Sequence, residues 1–232
     1  MPTLEIVPPT SWESLDRTIV DLANFDWLIL TSANAVDYFF ERLDRLGQDS
    51  RALAGVKIAV VGQKTAQSLR QQGIRADFIP PNFVADALVA NFPGSPQGQQ
   101  ILFPRVESGG RDVLVRELSQ LGATVVEVPA YQSQCPTTID PTALAALQRQ
   151  QVDIITFASS KTVKHFCQLI AGHLTPNWQD RVCIASIGPQ TSVTCRELLG
   201  KVDVEATEYT LPGLVEALVR HFSEGETSNL SC

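Results

Sequence analysis

Four short stretches of this chain place small and hydroxyl-bearing residues where a strand turns into a helix: Ser32-Ala33-Asn34, Gly62 to Thr65, Ser159-Ser160-Lys161 and Gly188 to Thr191. A helix start leaves backbone N–H groups without partners and carries the positive end of the helix dipole, so it can hold an anion without any cationic side chain. Gly188 permits a tight exit from its strand, Pro189 cannot continue a ladder, and Ser and Thr are capping types. Ser32, Ser159, Thr65 and Thr191 are read equally well as helix caps, at about 0.5–2 kcal/mol each. The two readings are compatible, because a cap leaves further N–H groups free for a ligand. Lys64 and Lys161 stand at helix starts, where a cation is unfavourable, and that leans toward a binding role. Arg105 and Arg111 flank a Gly-rich turn and could grip carboxylates bidentately, or could belong to a solvated face.

Other chemistries fail on spacing. Gly62-Gln63-Lys64-Thr65 is not a P-loop, because Lys does not follow Gly and the upstream glycine is missing. No G-x-G-x-x-G follows a strand. His165, His173 and His221 lack the partner spacing for zinc, and His165 and His221 are expected on solvated helix faces. The five cysteines contain no C-x-x-C pair and suit reduced structural thiols in a cytoplasmic protein. A net charge of −7 argues against nucleic acid as the main partner. No apolar run approaches the ~20 residues that span a bilayer, and Met1 to Glu5 does not resemble a secretory signal. With 232 residues, 44% hydrophobic and 19% charged, the chain has the material for one large domain or two smaller ones.

The elements that would position these turns repeat. Val182 to Ser192 reads as a buried strand entering a helix at Thr191-Ser192, and Val56 to Ala66 matches it in residue type 126 positions earlier (182 − 56), with a helix from Thr65 to Gln72. Asp26 to Ser32 lies over Asp153 to Ser159 at a shift of 127, and Phe83 to Val89 over Tyr209 to Val215 at 126. Further helices are expected over Trp12 to Ala23, from Asn34 through Leu43, over Val84 to Phe92, from Arg111 to Gly122 and over Leu211 to Phe222. Strands are expected at Phe25 to Leu30, Phe78-Ile79, Ile101 to Phe103, Thr124 to Val128, Val152 to Phe157 and Val202 to Val204. Ser223 to Cys232 is expected as a mobile polar tail.

Two similar doubly wound α/β domains follow. The first is continuous over 10–130. The second is discontinuous, formed by 1–6 with 137–232, and extended linkers run at about 4–9 and 131–136. Val128 to Pro136 also lies over Met1 to Pro9 at a shift of 127. That register implies that the second domain's opening strand–helix–strand unit, roughly 30 residues, is absent. The expectation is an N-terminal truncation or a misplaced start codon.

These stretches together resemble the uroporphyrinogen-III synthase family over the whole chain. The matching residues are Thr31 to Val36, Val60-Val61-Gly62 with Thr65-Ala66, Phe103-Pro104-Arg105, Leu121 to Ala123, Val128 to Tyr131, Phe157 to Ser160 and Ile187 to Thr191. The resemblance implies two flavodoxin-like domains with parallel sheets, joined by two linker strands, with a cleft between them that holds a linear tetrapyrrole. It implies cyclisation of hydroxymethylbilane to uroporphyrinogen III with loss of water and inversion of ring D, without a metal or organic cofactor. By the same resemblance Tyr131 is the candidate proton donor to the leaving hydroxyl; from the residues alone it reads as edge-strand packing. Ser32, Ala33, Asn34, Gly62, Lys64, Thr65, Arg105, Ser159, Ser160, Lys161, Gly188 and Thr191 are the candidate substrate contacts. A cytoplasmic monomer is expected. The alternative is a non-catalytic two-domain clamp closing on a small anionic ligand.

Overall fold

The computed structural model describes residues 1–81, 85–109 and 113–228, apart from the side chains of 85–86 and 224–228. The chain divides into two compact units, one of Ile6–Ser133 and one of Met1–Glu5 with Gln134–Cys232.

The first unit carries the strands β1 (Glu5–Val7), β2 (Trp27–Leu30), β3 (Lys57–Val60), β4 (Gln100–Val106) and β5 (Thr124–Gln134), in the spatial order β1-β5-β4-β2-β3. β2 pairs in parallel with β3 and with β4, and β4 pairs in parallel with β5. Its helices are α1 (Glu13–Val20), α2 (Ala33–Arg45), α3 (Gln63–Gln71), α4 (Ala85–Ala90) and α5 (Val113–Gln120). Side chains of a strand alternate between faces, and here both faces are covered. Leu28 and Leu30 pack with Leu15 of α1, Val36 and Phe39 of α2 and Leu69 of α3. Trp27 and Ile29 pack on the other side with Leu88 of α4 and Leu114 and Leu118 of α5. This is why Trp27-Leu28-Ile29-Leu30 is an unbroken apolar run. From β2 the chain moves outward to β3, then returns to β4 on the opposite side of β2. The order therefore reverses between β2 and β4, the place where open α/β sheets leave a crevice beyond the strand ends.

The second unit has β6 (Ile154–Phe157), β7 (Cys183–Ser186) and β8 (Val204–Glu205), parallel and in that order. Its helices are α6 (Pro141–Gln148), α7 (Ser160–Ile170), α8 (Pro189–Leu199) and α9 (Leu211–Ser228). Phe157, Val163, Phe166, Ile184 and Cys195 fill one side of the sheet, while Ala185, Val204, Ala206 and Leu214 fill the other.

The duplication extends to individual hydrogen bonds. Asp77 accepts the Ile58 N–H at 2.7 Å and gives its own N–H to the Ile58 carbonyl at 2.8 Å. Asp203, 126 positions later (203 − 77), does the same with Ile184 at 2.8 and 2.8 Å.

Several boundaries differ from expectation. α3 and α8 begin at Gln63 and Pro189, so Thr65 and Thr191 are third helical residues, not caps; the caps are Gly62 and Gly188. α1 stops at Val20 and a short 3-10 turn, Leu22–Asn24, follows. Phe78 makes only a single bridge to Ala59, and the last strand is Val204–Glu205. α9 continues through Ser228 instead of giving way to a tail at Ser223. α6, assigned no element from the sequence, lies 128 positions after α1 (141 − 13), capped by Asp140, which accepts the Ala143 N–H at 2.7 Å. His165 is half-buried, with Nδ1 2.7 Å from the Thr3 carbonyl, and is not a solvated residue. The expected starts at Val84 and Arg111, like Phe83 of the repeat, lie outside the described residues.

Two tests of the packing follow. Gly213 lies in the first turn of α9, and in an ordinary helix Gly→Ala gains about 1 kcal/mol. Here a Cβ would lie 2.3 Å from the Glu208 carbonyl oxygen. Gly213→Ala is therefore expected to lower the thermal midpoint, with a loss of about 1 kcal/mol or more; a raised midpoint would refute the packing. Cys195 is fully buried, and burial pushes its thiol up to about 11. The neutral thiol favours the folded state at lower pH, and that contribution is lost as pH rises from the ordinary thiol value toward 11. Iodoacetamide at about pH 8 is expected to leave Cys195 unmodified in the folded chain and to alkylate it in urea, read by peptide mass spectrometry.

Candidate active site

The turn after β2 is held by Ser32. Its backbone is extended, and its Oγ accepts the Ala35 N–H at 3.1 Å, so it caps α2. Ala33 and Asn34 form the half-buried first turn of that helix. α3 starts beside α2, and the two are joined by the Ser68 hydroxyl donating to Asp37 at 2.7 Å. Gly62 caps α3 with φ 87° and ψ 154°, Lys64 is exposed, and Thr65 is buried.

Tyr131 reaches this turn because its strand is irregular. β5 lies between β1 and β4 and is not an edge strand, which corrects the edge-packing reading. In the β4–β5 ladder Arg105 faces Pro129 and Val106 faces Tyr131, so Ala130 is skipped. Val126, Val128 and Ala130 alternate toward the α2 side; the skip turns Tyr131 to that side as well. Its hydroxyl lies 3.1 Å from Ser32 Oγ, and either oxygen can donate. Ser32 Oγ also accepts the Ala35 N–H, which fixes the serine in place beside the phenol. The Tyr131 ring is nearly parallel to Tyr38, with centroids 6.1 Å apart and planes at 16°. Tyr38 donates to the Ile6 carbonyl at 3.3 Å and lies 6.1 Å from the Trp12 ring, over which the guanidinium of Arg42 sits at 5.1 Å. Asp16 pairs with Arg42 and, mainly through that hydrogen bond, raises its pKa above the ordinary value. Nothing in the sequence marked Tyr38 or the Trp12–Arg42 pair, because these side chains meet across segments distant in the chain.

Arg105 is placed differently from expectation. Its guanidinium is paired with Glu127 and stacked over Phe103 at 5.5 Å, with 13% of the side chain exposed. It borders a hollow of about 360 Å³ that also contains Glu107, Gly109 and Pro129. Two carboxylates there make it a poor anion site. Glu107 instead takes the Thr10 N–H and hydroxyl at 3.1 and 3.0 Å, fixing the segment after β1 beside the end of β4. Arg111 lies outside the described residues.

The second unit repeats the helix-start geometry. Ser159 caps α7 through the Thr162 N–H at 3.2 Å, Ser160 donates to the Gln190 carbonyl at 3.0 Å, and Lys161 is half-buried. The Ser160 bond ties the start of α7 to that of α8, where Gly188 is the cap and Thr191 is buried. Beneath Gly188, buried Ser186 and Ser192 share a 2.5 Å hydrogen bond. Among the described residues no group of three or more His, Cys, Asp or Glu could hold a metal ion, and no helix is long and apolar enough to cross a membrane.

Fold and site thus define a two-unit α/β protein with parallel sheets, whose polar and reactive groups gather at the carboxyl ends of strands. The chain belongs to the uroporphyrinogen-III synthase family: the family model described as uroporphyrinogen-III synthase HemD matches residues 1–216. It is 56% identical over 221 residues to the uroporphyrinogen-III synthase of Synechococcus elongatus, covering 94% of this chain and 83% of that protein. A putative uroporphyrinogen-III synthase of Methanothermobacter thermautotrophicus is 31% identical over 231 residues, covering 96% and 88%. The fold is shared with solved uroporphyrinogen-III synthases of Helicobacter pylori (TM-score 0.66, 18% identity, 95% of this chain and 91% of that one) and Thermus thermophilus (a mutant chain; 0.59, 19%, 96% and 88%).

Proposed function

We propose that this chain cyclises hydroxymethylbilane to uroporphyrinogen III, a lyase reaction that releases one water and inverts ring D. The observation that carries this reading is the 56% identity, over 94% of the chain, to a protein of that name. The chemistry asks for little beyond orientation and a proton. When the terminal hydroxyl leaves as water, an azafulvene cation remains. Left unguided, it closes at the nearest free carbon of ring D and gives the type I isomer. Attack from the substituted carbon of that ring, through a spiro intermediate, gives type III. One proton is taken up by the leaving hydroxyl, and one is released when the last pyrrole regains aromaticity.

Fixing the substrate in one arrangement supplies most of such a rate effect, and a positioned acid adds to it. In this reading Tyr131 gives its phenol proton to the leaving hydroxyl and Ser32 orients the phenol. The starts of α2 and α3 in one unit, and of α7 and α8 in the other, take substrate carboxylates through backbone N–H groups. That suits a chain of net charge −7, because backbone N–H groups at helix starts hold carboxylates without any cationic side chain. Thr65 and Thr191, being buried, contribute through the shape of their turns. Lys64 and Lys161 add charge at the helix starts, and Arg105 supports β5 through Glu127. The test supplies freshly made hydroxymethylbilane and separates the porphyrin isomers after oxidation. Type III is expected; type I alone, at the spontaneous rate, overturns the proposal.

A further inference from the structure

Tyr131 is held at two points by one helix. Ser32, the cap of α2, lies 3.1 Å from its hydroxyl, and Tyr38, six residues further along (38 − 32), lies against its ring. The two contacts restrain different motions. The hydroxyl oxygen of a tyrosine lies on the axis about which its ring turns, so turning the ring leaves the contact with Ser32 unchanged. The torsion about that axis is broad, and rotamer preference alone does not fix it. The plane of the ring is therefore set by what packs on it. Tyr38 does so at 6.1 Å between centroids and 16° between planes, inside the range in which offset aromatic rings attract. The plane matters because the O–H bond of a phenol lies in it, the oxygen lone pair being conjugated with the ring. Ser32 thus fixes where the oxygen is, and the ring plane fixes the directions in which the proton is offered.

Tyr38 is itself held. Its hydroxyl donates to the Ile6 carbonyl of β1 at 3.3 Å, and its ring meets Trp12 at 6.1 Å and 32°. Arg42, one turn further along α2, lies over Trp12 at 5.1 Å and donates from Nη2 to Asp16 of α1 at 2.6 Å. The duplication separates the two jobs of Tyr38. At the shift of 127 its twin on α7 is His165 (165 − 38), which also meets a main-chain carbonyl, that of Thr3 at 2.7 Å. The twin of Tyr131 is Leu4 (131 − 4), which has no proton to give. A carbonyl tether is thus common to both units, and a histidine serves for it. The paired tyrosine rings occur only in the unit whose partner residue carries a hydroxyl.

We infer that Tyr38 is a positioning residue: it sets the ring plane of Tyr131 and so aims the phenol proton at the leaving hydroxyl. The inference rests on the acid role proposed for Tyr131. Tyr38 acts through that phenol alone, and α2 carries both halves of the alignment, with Ser32 at the oxygen and Tyr38 at the ring.

The experiment measures turnover of hydroxymethylbilane by the full chain, by Tyr38→Leu, by Tyr131→Phe and by the two substitutions together. Tyr38→Leu is expected to lower kcat about tenfold or more, with KM little changed. In the Tyr131→Phe background the same substitution should cost less than about twofold, since no hydroxyl remains to be aimed. Tyr38→Phe keeps the ring and should stay within about threefold of the parent. The same loss in both backgrounds makes Tyr38 a packing residue and overturns the inference, as does a Tyr38→Leu chain within about twofold of the parent. Near-normal turnover in Tyr131→Phe is a separate failure: it removes the acid role, and the aiming role with it. The chain has three tyrosines, so ring-labelled tyrosine NMR reads the plane without catalysis. The two edges of the Tyr131 ring should give separate signals in the parent and in Tyr38→Phe, and merge in Tyr38→Leu. Merged signals in the parent would overturn the inference even where Tyr38→Leu does not fold.

Discussion

Replacing Tyr131 by phenylalanine is expected to lower turnover of hydroxymethylbilane by about 10²-fold or more, the range of a positioned general acid, with little change in KM. The substitution removes only the hydroxyl. The ring keeps its place against Tyr38, and Ala130 keeps the irregularity in β5, so the fold should be unaffected. Ser32→Ala tests the same pair from the other side. It removes the α2 cap, costing about 1 kcal/mol of stability, and deprives the phenol of its 3.1 Å partner. Turnover should fall by less than in Tyr131→Phe, because the acid remains and only its orientation is lost. The isomer ratio separates two roles for Tyr131. If it acts only on the leaving hydroxyl, the residual product stays type III; if it also steers ring D, type I appears. Near-normal turnover in Tyr131→Phe would remove the acid role, and the helix-start reading would then have to stand without it.

How far the site was legible depended on the scale of the interaction. The duplication was readable because it rests on residue types at a fixed shift, and it proved accurate down to Asp77 with Ile58 and Asp203 with Ile184. Ser32 and Ser159 were readable as caps, since an N-cap acts within three residues. Contacts between distant segments were not. Arg105 pairs with Glu127, 22 positions away across the β4–β5 ladder, and no local pattern shows that pairing. The aim of Tyr131 depends on a skipped residue in the same ladder, which alternating hydrophobicity cannot reveal. α6 had a local signal, Asp140-Pro141 before an apolar run, and a twin in α1; its low amphipathicity hid it. Thr65 and Thr191, read as caps, lie three positions past the glycines that take the capping role.

Those two glycines fill the same place in the repeat, yet Ala at each is expected to fail for a different reason. Gly62 has φ 87° and ψ 154°, a region open essentially only to glycine, so Gly62→Ala should cost about 1–3 kcal/mol in backbone strain. Gly188 has φ 166° and ψ 178°, extended backbone that any residue adopts. Its constraint is external, since a Cβ would lie 2.9 Å from Cδ1 of Tyr209, a ring that is 65% exposed and free to swing away. Gly188→Ala should therefore stay within about 0.5 kcal/mol of the parent, like a surface change. Urea unfolding with a common m-value measures both. Catalysis should follow the same order. Strain at Gly62 turns the first N–H groups of α3 away from their present direction and raises KM, while Gly188→Ala changes KM only by moving Tyr209. Equal losses of stability at the two positions would mean that the backbone difference between the twins is not present in the folded chain.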